Sequence, residues 1–389
     1  MSESHSRRGI WFAAGAIALA LAAWAMAATG LRAGIVPPTP KKLSQDFHSR
    51  VPPPSDVAWG CQGSWIQHPQ TSFGGGTLLS EIILKADPRK PALQPLEGGP
   101  KESEALRLPT NFRNADGSFN QDAIVAEQKK RAEIIQAKLS IRLAVVETPH
   151  YLVLSSADAS MTASFVKWSE ALYANLSRQF AMDPKQRVWD GKCMLLVFGS
   201  RSEFVAYAKA FDGSDAANAA AYFAWERYGD GTPQLVHICI PANEPRPARL
   251  QELFVHEGTH AFFQLYRHPV ALPVWLQEGL AEYMTVVNDP SLSNRKARPA
   301  MAIARQRGSI GHVLAADTLS LDGEDYSVAY TLVDALIRTD PVRFRQFVNL
   351  LKDGKGQNEA LKAAYGFDLA GLAERWRMVV LHTRPAAGP

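Results

Sequence analysis

Val255-His256-Glu257-Gly258-Thr259-His260 is followed, eighteen residues beyond His260, by Glu278 in Trp275-Leu276-Gln277-Glu278-Gly279-Leu280-Ala281-Glu282-Tyr283. On a helix, residues four apart share a face, so His256 and His260 aim both imidazoles at one point. That spacing suits a single zinc ion, with Glu257 beside it to hold and deprotonate a water. A second helix carrying Glu278 supplies a third ligand and leaves the fourth position open. Three protein ligands and an open position characterise a catalytic zinc site, whereas structural sites are closed.

The surrounding sequence agrees with this reading. Leu250, Leu253, Phe254, Ala261 and Leu265 recur with helical period around the two histidines and define one buried side. Pro269 and Pro273 interrupt the chain, and Pro273 is expected as the first residue of the next helix. Glu278 and Glu282 then share a face of that helix. A ligating imidazole usually gives its other N–H to a carboxylate, which makes Glu282 the candidate partner of a ligand histidine.

His256-Glu257-x-x-His260 followed by Trp275-Leu276-x-Glu278-Gly279-Leu280-Ala281-Glu282-Tyr283 resembles the gluzincin clan of zinc peptidases, most closely the bacterial peptidase MA-like domains. The resemblance covers roughly residues 140–385. It implies His256, His260 and Glu278 as ligands of one zinc per chain, Glu257 as general base and Glu282 as the carboxylate orienting a ligand histidine. The spacing from His260 to Glu278 is one or two residues shorter than in the best-known members. The resemblance also places Tyr326, in Asp325-Tyr326-Ser327-Val328-Ala329-Tyr330, at the family's oxyanion-stabilising tyrosine. Tyr330, one turn on, and His312 are alternatives for that role, and a packed aromatic is the plain reading of either tyrosine.

The remaining chain bounds the setting. It is 46% hydrophobic and 21% charged, the composition of an ordinary globular protein with a large core. The net charge is +4, without a basic run of the length that nucleic acid calls for. Residues 9–31 are almost wholly apolar and follow Arg7-Arg8, enough to span a bilayer with some tilt. Ala25-Met26-Ala27 also offers a small-x-small cleavage site, so a signal anchor and a cleaved signal both fit. Either puts the rest outside the cytoplasm, in the periplasm or cell envelope, where two of Cys61, Cys193 and Cys239 could pair, Cys193 with Cys239 among the choices. Buried free thiols fit equally well.

Residues 1–8 read as a cytoplasmic leader and 32–120, with Val51-Pro52-Pro53-Pro54 and Phe73-Gly74-Gly75-Gly76, as linker or irregular structure. A charged helix is expected over 123–139 within the segment 121–139. Strands are expected near 150–155, 192–199, 219–226 and 234–240, with a helix over 161–182 and a capping box at Ser200-Glu203. Ala220 to Trp225 is the candidate substrate-facing sheet edge. From Pro299 on the chain reads as all helix, with Asp340-Pro341 as a cap pair and Tyr365 opening the last one. Strands first and helices later predict an α+β fold: a small N-terminal mixed sheet, a metal-binding helix pair and a helical C-terminal part.

The leading function is a membrane-anchored, extracytoplasmic zinc metallopeptidase acting on polypeptides, most simply an endopeptidase because no carboxylate patch to grip a free amine stands out. The alternatives are a non-catalytic envelope binding module that keeps the metal, and a zinc cell-wall amidase. Glu257 argues against the binding module, since a purely structural zinc has no use for a base.

Overall fold

The computed structural model describes residues 112–227, 233–320 and 323–382. In chain order the elements are α1 (Gln121–Leu139), β1 (Ala144–Glu147), β2 (Tyr151–Ser155), α2 (Ala159–Gln179), β3 (Cys193–Phe198), α3 (Arg201–Tyr207), β4 (Tyr222–Arg227), β5 (Gln234–Pro241), α4 (Pro247–Leu265), α5 (Val274–Asn288), α6 (Ser293–Arg305), α7 (Gly311–Ala315), α8 (Glu324–Thr339), α9 (Pro341–Lys352), α10 (Gln357–Tyr365) and α11 (Leu369–His382). A five-stranded mixed sheet followed by a helical half is the α+β architecture that the sequence predicts.

The strand order is β1-β2-β3-β5-β4. β2, β3 and β5 run parallel, and β1 and β4 flank them antiparallel. The three central strands are buried along their whole length because helices cover both faces. Val153, Leu195, Val197, Ile238 and Ile240 face the large core that α2 and α4 share. Leu152, Leu154, Met194, Leu196 and Cys239 face a smaller core shared with α1 and α3. Burial on two sides is why these strands read as continuous apolar runs, without alternation.

Local chemistry sets several element ends. Asn120, Asp158 and Ser200 cap α1, α2 and α3 through their side-chain oxygens, and Ser200 with Glu203 forms the capping box. Asp340 accepts the Val342 and Arg343 N–H groups ahead of Pro341. α2 stops three residues before the expected Met182, because Ala181 turns left-handed at φ 52° and Met182 N–H reaches back to Ser177. Pro273 lies just outside α5 with extended ψ, so the helix begins at Val274. Tyr365 closes α10, at a left-handed Gly366, and does not open the last helix. Pro299 lies inside α6. β1 has no counterpart in the sequence reading, since its four residues are mostly exposed and carry little period.

Other expectations meet the structure less directly. Residues 112–120, at the end of the segment read as linker or irregular structure, form a turn whose Phe112 packs with Ile124 and Leu235. Cys193 and Cys239 are free. Although β3 and β5 are neighbours, Cys193 faces the large core and Cys239 the small one, and Cys239 lies opposite Leu196. Burial raises both thiols well above their ordinary range, which leaves them inert. The apolar segment 9–31, Cys61 and the rest of 32–111 lie outside the described residues. Among the described residues no helix is long and apolar enough to cross a membrane.

Candidate metal centre

α4 carries His256, Glu257 and His260, and α5 carries Glu278 and Glu282. α4 is fixed from several sides. Trp189 donates its indole N–H to the Ala261 carbonyl at 2.8 Å. Gly258 leaves room for Leu172 of α2, whose Cδ2 would lie 2.5 Å from an added Cβ. At the far end, the buried Lys352 ammonium donates to the carbonyls of Phe263 and Val270, at 2.7 and 2.6 Å, and ties the helix to the loop leading to α5.

Three ligand atoms converge. His256 Nε2 is 3.2 Å from His260 Nε2 and 3.3 Å from Glu278 Oε2, and His260 Nε2 is 3.5 Å from that oxygen. Atoms bound at about 2.0–2.1 Å to one tetrahedral zinc stand roughly 3.3–3.4 Å apart. Glu278 Oε2 is buried without a hydrogen bond of normal geometry, aimed at the two imidazoles. The donor set and its spacing therefore fit a zinc ion. Glu257, fully buried, follows His256 on the same helix.

Glu282 Oε1 lies 3.0 Å from His256 Nδ1. Accepting that N–H fixes the tautomer that turns Nε2 toward the ion. Burial opposes charge on every group here, yet Glu278 and Glu282 raise His256 to about 10, while the histidines hold Glu278 at about 2. Burial lowers His260, which stays neutral. The carboxylates beside the two histidines favour a proton on the metal-free pair. Zinc must displace it, so binding at pH 7.5 should release about one proton and tighten by roughly tenfold per pH unit up to the His256 value. Calorimetric titration in buffers of different ionisation enthalpy measures this directly; zero release would contradict the charge assignment.

Tyr326, on α8, is half-buried, with Glu278, Glu282 and Glu257 as electrostatic neighbours. Burial first, then those carboxylates, push its hydroxyl well above 10, so it is a hydrogen-bond donor at any working pH. Tyr330 points elsewhere: its hydroxyl bonds Ser293 beside Tyr283 and Asp334. His312 is exposed and pairs with Asp325 at 3.0 Å. The expected sheet edge is β4, the last strand of the sheet among the described residues. Phe223 on it stacks on His260, with ring centres 5.7 Å apart.

A second buried group, Asp212, His237 and Cys239, lies on the other face of the sheet. Its polar atoms already bond one another: Asp212 Oδ2 accepts the Tyr222 hydroxyl at 2.6 Å and lies 3.1 Å from His237 Nε2. Sequence reasoning passed over Glu252 and Lys296, which lie behind Glu282. Glu252 was legible in principle, being four residues before His256 on the same helical face. Nothing in the local sequence marks Lys296.

Residues 234–382, from β5 through α11, match the family model of the peptidase MA superfamily. Among solved structures, the M1 zinc metallopeptidase from Deinococcus radiodurans aligns with 64% of this chain and 52% of its own, at 16% identity and a TM-score of 0.32. The chain thus spans about half the length of that structure. No curated protein matches it.

Proposed function

We propose that this chain is a zinc-dependent metallopeptidase that cleaves within polypeptides outside the cytoplasm, held at the membrane by residues 9–31. The observation that carries the reading is the triangle of His256, His260 and Glu278 donor atoms, 3.2–3.5 Å on a side, with Glu257 next to it on α4. The match of residues 234–382 to the peptidase MA superfamily model supports it. The extracytoplasmic setting rests on the apolar sequence of residues 9–31 alone.

A bound zinc supplies Lewis acidity toward the scissile carbonyl and acidifies water. The protein's own residues do the rest. Glu257 takes a proton from the attacking water and delivers it to the leaving amine. Tyr326, a phenol throughout, donates to the oxyanion as charge develops. β4, an outer strand among the described residues, offers its edge to an extended substrate, beside Phe223 and His260, and such pairing suits an internal stretch of polypeptide. Glu282 keeps His256 in register.

The test is metal content and hydrolysis of an unfolded protein by the purified full-length chain. About one zinc per chain is expected, with cleavage lost on chelation and restored by zinc. A zinc-loaded chain inert toward unfolded protein would sink the peptidase reading; cleavage of peptidoglycan fragments instead would identify an amidase.

A further inference from the structure

Behind the metal triangle lies a buried chain of charges. Glu282 uses Oε1 for His256, and its Oε2 meets the Lys296 ammonium. That ammonium also lies 2.9 Å from Glu252 Oε1. Glu252 sits one turn before His256 on α4 and is held by Arg295 at 3.1 Å and Arg249 at 3.2 Å. The Lys296 and Glu252 side chains are each 11% exposed and that of Glu282 is 15%, so the network is mostly shielded from solvent. Lys296 therefore bridges the helix of the two histidines and the helix of the third ligand, from a third helix.

The backbone at Lys296 is itself pinned. Ser327 of α8 donates its hydroxyl to the Lys296 carbonyl at 2.6 Å and accepts the Ala300 N–H at 2.9 Å. A serine from another helix thus closes the turn of α6 that contains Pro299, which has no N–H to contribute. Ser327 follows Tyr326 directly, so one stretch of α8 carries the oxyanion donor and anchors the lysine.

We propose that Lys296 is a positioning residue for the zinc site: by bridging Glu282 and Glu252, it fixes the carboxylate that orients His256. Removing the ammonium leaves two buried carboxylates facing one another, and Glu282 then swings from His256 toward solvent or picks up a proton. In either case His256 loses the partner that sets its tautomer. The inference rests on reading His256, His260 and Glu278 as a zinc site.

The test compares full-length wild type with Lys296→Met and Lys296→Arg. Zinc affinity is measured by chelator competition, and cobalt is substituted so that its visible absorption reports ligand geometry. Lys296→Met should bind zinc about 10–100-fold more weakly, the usual effect of losing outer-shell support, with an altered cobalt band. Lys296→Arg, which still reaches both carboxylates, should recover most of the loss, a rescue that generic destabilisation would not give. Wild-type zinc affinity and an unchanged cobalt band in Lys296→Met would overturn the inference while leaving the zinc site intact. Should Lys296→Met fail to fold by circular dichroism, Glu252→Gln replaces it: a weaker loss in the same direction supports the inference, and no change overturns it. A wild type that holds no zinc would remove the site reading and this inference together.

Discussion

Glu257→Gln is expected to lower peptide hydrolysis by about 10²–10⁴-fold, the usual contribution of a general base, and to leave zinc content unchanged. Glu257 is fully buried, and glutamine matches it in shape, so packing around α4 survives the exchange. The donor atoms of the triangle belong to His256, His260 and Glu278, and none is touched. The amide, however, cannot take up the proton that the attacking water must lose. The loss should appear in kcat more than in KM, since the removed proton transfer belongs to the transition state. Full turnover by a zinc-loaded Glu257→Gln chain would eliminate the assigned base.

Gly279→Ala should destabilise the fold and loosen the metal site together. Gly279 follows Glu278, the candidate third ligand, and α8 crosses against it. A Cβ there would lie 2.7 Å from Val333 Cγ2 and 2.8 Å from the Ala329 carbonyl carbon, with the Ala329 oxygen nearer still. Backbone cannot step aside as a side chain can, so α5 and α8 must separate. Overpacking of this kind costs about 3 kcal/mol, against roughly 1 kcal/mol that alanine gains in helix propensity. The net of about 2 kcal/mol corresponds to a fall in Tm of roughly 4–8 °C for a folded unit of this size. Because Glu278 is the adjacent residue, the same displacement widens the triangle and weakens zinc binding. Thermal unfolding with and without zinc reads both effects. A variant as stable as wild type, with the same zinc affinity, would show that the α5–α8 contact tolerates more space than the geometry gives it.

Much of the candidate site was written in short-range spacing. Two histidines four apart, a glutamate between them and a pair of glutamates four apart on the next helix give directions in space once helicity is granted, because the helix fixes i and i+4 on one face. Tyr326 and Tyr330 could not be separated in this way. They lie one turn apart on the same helix, and only the docking of α8 against α5 and α6 turns Tyr326 toward the site carboxylates and Tyr330 toward Ser293. Cys193 and Cys239 sit in neighbouring strands, yet register sends them to opposite cores. β1 escaped notice because four mostly exposed residues carry no burial pattern.

The sequence by itself determined the candidate donor set and the α+β class: donor types and helical spacing are local properties, and apolar period marks strands and helices before they pack. The tertiary structure alone decided which groups stand behind the donors. Lys296 reaches Glu282 and Glu252 from a third helix, anchored by Ser327 of a fourth. Such contacts join residues on separate helices, and what sets them is how helices pack against one another, which no local spacing encodes.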